Sequence, residues 1–193
     1  MSSLTRRLAA GTVLAALAGT AAAHTGHGTH GFFEGLAHPF AADHLLAMLA
    51  VGAWSSVALQ GTRRWLGPLC FLVAMALGAA AGAAGISVPY VEQGIAASVL
   101  LMGVMLVAVR RLAPAAGLVL IAVAATLHGQ AHGAELPTGA SFASYAAGFL
   151  LTTASLQTGA LLVGERIGLA RSWAWRIGGA LLGAAGLAML AAA

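Results

Sequence analysis

The chain has 193 residues, of which 60% are hydrophobic and 7% charged, and its mean hydropathy is +0.92. Soluble domains carry roughly 25% charged residues, so this composition excludes a soluble globular domain and indicates an integral membrane protein. All nine basic residues are arginines, grouped between apolar segments, which reads as a topology signal and argues against a nucleic-acid partner despite a pI near 10.7.

At the N-terminus, Arg6-Arg7 forms a positive region, Leu8 to Leu17 a short apolar core, and Ala21-Ala22-Ala23 a small-residue cleavage site. Residues 1–23 read as a cleaved signal peptide, with an uncleaved signal anchor as the alternative. Cleavage leaves His24, His27 and His30 on a mature N-terminus outside the membrane. Six apolar segments follow, near 39–59, 68–87, 92–109, 112–131, 142–163 and 173–191. Apolar segments of about 20 residues must satisfy their backbones internally. The expected fold is therefore all-α, with residues 24–193 forming a single bundle of six transmembrane helices. Arg63-Arg64, Arg110-Arg111 and Arg166/Arg171 follow the first, third and fifth segments, and with the mature N-terminus outside all three loops are cytoplasmic. Trp65, Trp173 and Trp175 fall at the same boundary and are expected to be interfacial anchors. Gly78/Gly82 and Gly179/Gly183 have the small-xxx-small spacing of close helix contacts. Cys70 is the single cysteine, which leaves neither a disulfide framework nor a thiolate metal site.

Two histidine clusters interrupt this apolar background. The first, His38-Pro39-Phe40-Ala41-Ala42-Asp43-His44, runs directly into Leu45-Leu46-Ala47-Met48; the second is His128-Gly129-Gln130-Ala131-His132-Gly133-Ala134-Glu135. Ionisable groups are costly inside a bilayer and usually mark an ion, proton or substrate site. Imidazole and carboxylate without thiolate suit a borderline divalent transition metal. Eighteen residues separate His44 from Arg63, 17 separate Glu92 from Arg110, and 16 separate Arg111 from His128. At 1.5 Å per residue these are all about 24–27 Å, which places His44, Glu92 and His128 at one depth near the outer surface. His44 and Met48 share a helix face, as do His128 and His132 if the helix continues through Gly129 and Gly133; those glycines would also allow a bent backbone near an ion. Asp43 is either a ligand or an acceptor that orients an imidazole. Glu135 is expected near the entrance, and Glu92 is either an interfacial residue or a ligand or part of the path. Met48, Met102 and Met105 read as core filler. In the fifth segment Ser144, Gly148, Thr152, Ser155 and Gly159 form a weakly polar face that either lines a path or packs helices, and Gln157 sits deep.

With these motifs in view the chain resembles the HupE/UreJ family, membrane proteins associated with hydrogenase and urease and regarded as nickel or cobalt permeases. The resemblance covers the whole chain and is most specific in His38-Pro39-Phe40, Asp43-His44-Leu45-Leu46-Ala47-Met48 and the segment from His128 to Glu135. It implies that His38, Asp43, His44, His128 and His132, with Glu135, carry the metal. Four residues separate His38 from Asp43 here, one fewer than in the family pattern. On an ideal helix that turns His38 by about 100° relative to Asp43, a constraint that vanishes if the helix starts after His38.

The resulting expectation is a bacterial inner-membrane permease importing Ni²⁺, or alternatively Co²⁺, with no permanent cofactor. No GxxxxGK[ST] loop is present, so coupling to ATP hydrolysis by this chain is not expected. Two rivals are an intramembrane zinc-dependent hydrolase, with Ser141 or Ser144 assisting, and a metal sensor or delivery subunit that binds without transport.

Overall fold

A computed structural model describes residues 31–168 and 172–193. Among these residues every regular element is a helix. The order is α1 (Gly31–Ala37), a 3₁₀ turn (His38–Phe40), α2 (Ala42–Ala58), a 3₁₀ turn (Gly61–Trp65), α3 (Leu66–Ala83), α4 (Val91–Val107), α5 (Pro114–Ala134), α6 (Phe142–Ile167) and α7 (Ser172–Ala192). All six apolar segments are helical. Four are long and apolar enough to cross a membrane, the bent pair α1–α2 makes a fifth, and α4 is shorter at 17 residues. Leu69, Leu77, Val119, Val123, Leu181 and Leu187 are each more than half exposed. Such apolar exteriors are stable only against hydrocarbon, so the protein is a multi-pass membrane protein. The expected signal peptide over residues 1–23 and the histidines at 24, 27 and 30 lie outside the described residues.

Helices pair mainly as α3 with α5, α4 with α7, and α2 with α6, and α1 lies against α6. Glycine makes these approaches close. A Cβ at Gly78 or Gly82 of α3 would strike the carbonyl oxygens of Thr126 or Gln130 in α5. One at Gly129 or Gly133 of α5 would strike those of Met75 or Ala79 in α3. The glycines flanking the second histidine cluster therefore do not bend the backbone toward an ion. The helix runs unbroken to Ala134, and they bring α3 against it. Gly103 of α4 likewise faces the backbone of Gly179 and Gly183 in α7.

α1 is an element that hydrophobic periodicity does not predict. It forms because Gly35 and Gly148 let its backbone lie directly on α6, where Thr152 also donates to the carbonyl of Leu36 at 2.9 Å. The weakly polar face of α6 is thus partly helix contact, as Gly148 and Thr152 attest. Pro39 lies in the 3₁₀ turn, where a missing N–H costs little, and the chain bends by 74° before α2 begins.

At the arginine end, Arg64 pairs with Glu165 near the end of α6. Trp65 and Trp173 are exposed there as anchors should be, but Trp175 is buried and donates to the carbonyl of Gly168 at 3.0 Å. Trp175 is a packing residue, because the indole N–H finds its partner within the fold. Met48, Met102 and Met105 are buried in the core.

Candidate metal centre

Three imidazoles from three different segments meet at the end of the bundle opposite the arginines. His38 comes from the 3₁₀ turn, His44 from the first turn of α2 and His132 from the last turn of α5. One nitrogen from each lies within 4.8 Å of the others. The bend at Ala41 makes this possible, since α2 starts only at Ala42. The one-residue difference in spacing therefore imposes no helical phase on His38, whose ring centroid lies 4.4 Å from His132 and 5.4 Å from His44.

The surrounding hydrogen bonds decide which nitrogens face the cluster. Asp43 Oδ1 accepts from the His44 backbone N–H at 2.7 Å and lies 2.9 Å from His44 Nδ1. With the Nδ1 proton donated to that carboxylate, Nε2 carries the lone pair, and Nε2 is buried with no hydrogen-bond partner among the described residues. Asp43 thus fixes the orientation of the His44 ring. His132 is fully buried, stacks on Phe149 with centroids 4.5 Å apart, and has no hydrogen-bond partner for either nitrogen among the described residues. Buried polar groups left unmatched cost about 1–3 kcal/mol each, so these nitrogens are open to a partner such as an ion or a water.

His128 adjoins the trio, with its ring centroid 4.7 Å from that of His44. It lies one turn before His132 on α5, about 6 Å toward the arginine end. The hydroxyl of Ser98 donates to the Ile95 carbonyl at 2.7 Å, so its oxygen accepts from His128 Nε2 at 2.9 Å. The His128 lone pair then resides on Nδ1, which is buried and unpartnered among the described residues. On the other side of the trio, Tyr145 Oη is 3.1 Å from His38 Nδ1, and Glu135 Oε2 is 3.2 Å from His38 Nε2. Glu135 is about half exposed, which puts a carboxylate on the exposed side of the trio. Two carboxylates beside the imidazoles favour a divalent cation electrostatically.

Glu92 is not brought to this cluster. It stands exposed in the first turn of α4, and α4 reaches His128 through Ser98, six residues or about 9 Å further along. Gln130, inside the second motif, instead bonds the carbonyl of Ile86 and fastens the connection after α3. Sequence reasoning missed Ser98, Tyr145 and Phe149. Ser98 is the lone hydroxyl side chain of α4 and Tyr145 one of two tyrosines in the chain, which were the available signals.

A family model described as HupE / UreJ protein matches residues 12–189. The chain is 39% identical over 183 residues to Protein HupE of Rhizobium leguminosarum bv. viciae, an alignment covering 93% of this chain and 95% of that one. No solved structure matches the chain.

Proposed function

This chain belongs to the HupE/UreJ family, and we propose that it is a permease importing a divalent transition-metal ion across the bacterial inner membrane. Ni²⁺ is the first cargo to test and Co²⁺ the second, in the context of hydrogenase or urease maturation. The observation that carries this reading is the convergence of His38, His44 and His132, of which His44 and His132 are buried and keep imidazole nitrogens without protein partners among the described residues. In this reading the six helical segments span the membrane, the mature N-terminus is outside and the arginine loops are cytoplasmic. Glu135 and His38 receive the ion at the outer mouth, with His24, His27 and His30 as a capture tail ahead of them. His44 and His132 strip its hydration, and His128 takes it inward. Cargo binding by few neutral ligands keeps release possible. Drawing a double charge inward across about 100 mV is worth roughly 4.6 kcal/mol, enough for accumulation of order a thousandfold without ATP.

The experiment is uptake into proteoliposomes with an inside-negative potential on or off and a panel of Ni²⁺, Co²⁺, Zn²⁺ and Cu²⁺. Saturable, potential-sensitive entry of one ion supports the permease. Binding without flux for any ion replaces it with a sensor or delivery role, and zinc-dependent hydrolysis would revive an enzyme.

Asp43 gives a graded test. Asp43→Asn keeps the shape but can present an amide N–H₂ toward His44 Nδ1 and weakens the hold on its tautomer. Such outer partners are typically worth 10–100-fold in metal affinity, so titration calorimetry with Ni²⁺ should show a loss of that order. An unchanged affinity would remove Asp43 from the site.

A further inference from the structure

Beyond the imidazoles, the described bundle buries few polar side chains without partners. Trp54 Nε1 and Ser55 Oγ are two such atoms, but Trp54 packs on Gly117 of α5 and Ser55 on Gly67 of α3. Two grooves lie between α2, α6 and α7, with apolar linings such as Leu49, Ala53 and Trp175, and include no histidine. Gln157 of α6 is different. It is fully buried, and neither its carbonyl oxygen nor its amide nitrogen has a hydrogen-bond partner among the described residues.

Gln157 also stands at a telling place. The α2–α6 seam begins at the metal centre, where Phe149 of α6 stacks on His132. One turn past His44 on α2, the Met48 sulfur accepts a hydrogen bond from the hydroxyl of Thr153 at 3.3 Å, both groups being fully buried. Gln157 is one turn past Thr153, and Gly52, one turn past Met48, lies against the backbone carbonyl of Gln157. Gln157 is thus about 12 Å beyond Phe149 and about 12 Å short of Glu165, whose pairing with Arg64 ties the far end of α6 to the 3₁₀ turn that follows α2.

We infer that Met48, Thr153 and Gln157 form a second, weaker cation station halfway along the α2–α6 seam, which receives a divalent transition-metal ion from the imidazoles and passes it toward the arginine end. The Thr153 proton is spent on sulfur, so the lone pairs of its oxygen remain for a cation or its water. The Gln157 carbonyl oxygen is a neutral hard ligand and the Met48 thioether a soft one. Neutral oxygen and thioether donors hold such an ion more loosely than imidazole, as conduction through successive sites requires. This inference rests on the permease reading.

The test uses full-length protein and Ni²⁺. Gln157→Leu removes an unmatched buried amide, and an apolar replacement of that kind is neutral or stabilising to the fold. Its expected signature is a maximal uptake rate lowered at least tenfold, with KM and Ni²⁺ affinity in detergent within twofold of wild type and an unchanged or raised Tm. Wild-type flux in this variant would overturn the station. Gln157→Glu, nearly isosteric, provides a second readout independent of flux. It should convert the station to a strong site and raise bound Ni²⁺ by one further equivalent per chain. An unchanged stoichiometry would overturn the inference. If wild-type protein moves no ion, the permease reading fails, and the Gln157→Glu stoichiometry still decides whether the seam binds metal.

Discussion

His44→Ala is expected to lower saturable Ni²⁺ uptake by at least about 100-fold while the protein still inserts in the membrane. His44 occupies the junction of the cluster: its ring approaches those of His38, His128 and His132 with centroids 5.4, 4.7 and 4.7 Å away. No other residue is within such reach of all three among the described ring contacts. Its Nε2 is the lone-pair nitrogen, because Asp43 accepts from the opposite side of the ring. Loss of an outer-sphere partner alone typically costs 10–100-fold in affinity, so loss of the ligand itself should cost no less. His128→Ala is predicted to abolish flux too, but by a different route. It leaves His38, His44 and His132 in place, so Ni²⁺ binding should survive while transfer inward stops. Equal flux in wild type and both variants, at matched protein levels in the membrane, would sink the proposed site.

Gly129→Val should be the most damaging substitution for the fold. A side chain there meets the carbonyl of Met75 and the backbone of Ala79, which cannot rotate away as a flexible side chain would. Overpacking typically costs 1–3 kcal/mol and occasionally more, and this backbone collision belongs at or above about 3 kcal/mol. The strain also displaces the segment of α5 that carries His128 and His132, so Ni²⁺ binding should fall with stability. Gly159→Ala is the matched control: nothing lies within 4 Å of its added Cβ. Replacing a mid-helix glycine there should be neutral or stabilise by roughly 0.5–1 kcal/mol. Thermal unfolding in detergent separates the two, and a Gly129→Val protein as stable as wild type would contradict the close α3–α5 contact.

The six apolar segments and the two histidine clusters were legible in the sequence because both depend on local rules: length of apolar run, and spacing of four along a helix. His128 and His132 share a face, as that spacing requires. What failed was information that only tertiary contact supplies. Residue counting measures depth along a helix but neither its lateral position nor where the helix bends. It therefore grouped Glu92 with His44 and His128, although α4 meets His128 through Ser98. α1 has seven residues, too few to be stable alone, and exists because two glycines let it lie on α6. Gly129 and Gly133 looked like flexible neighbours of a ligand; their real partners, Met75 and Ala79, are more than 50 residues away in the chain. Trp175 matched the anchors by position, yet its N–H is turned to Gly168.

The central claim is that His38, His44 and His132 hold the ion together. X-ray absorption at the nickel edge on Ni²⁺-loaded protein tests it most directly, because imidazole rings give a multiple-scattering pattern that oxygen ligands lack. The account predicts a first shell with scattering from three imidazoles, reduced by one ring in His132→Ala. A shell of oxygen atoms alone, or an imidazole signal unchanged in that variant, would contradict it.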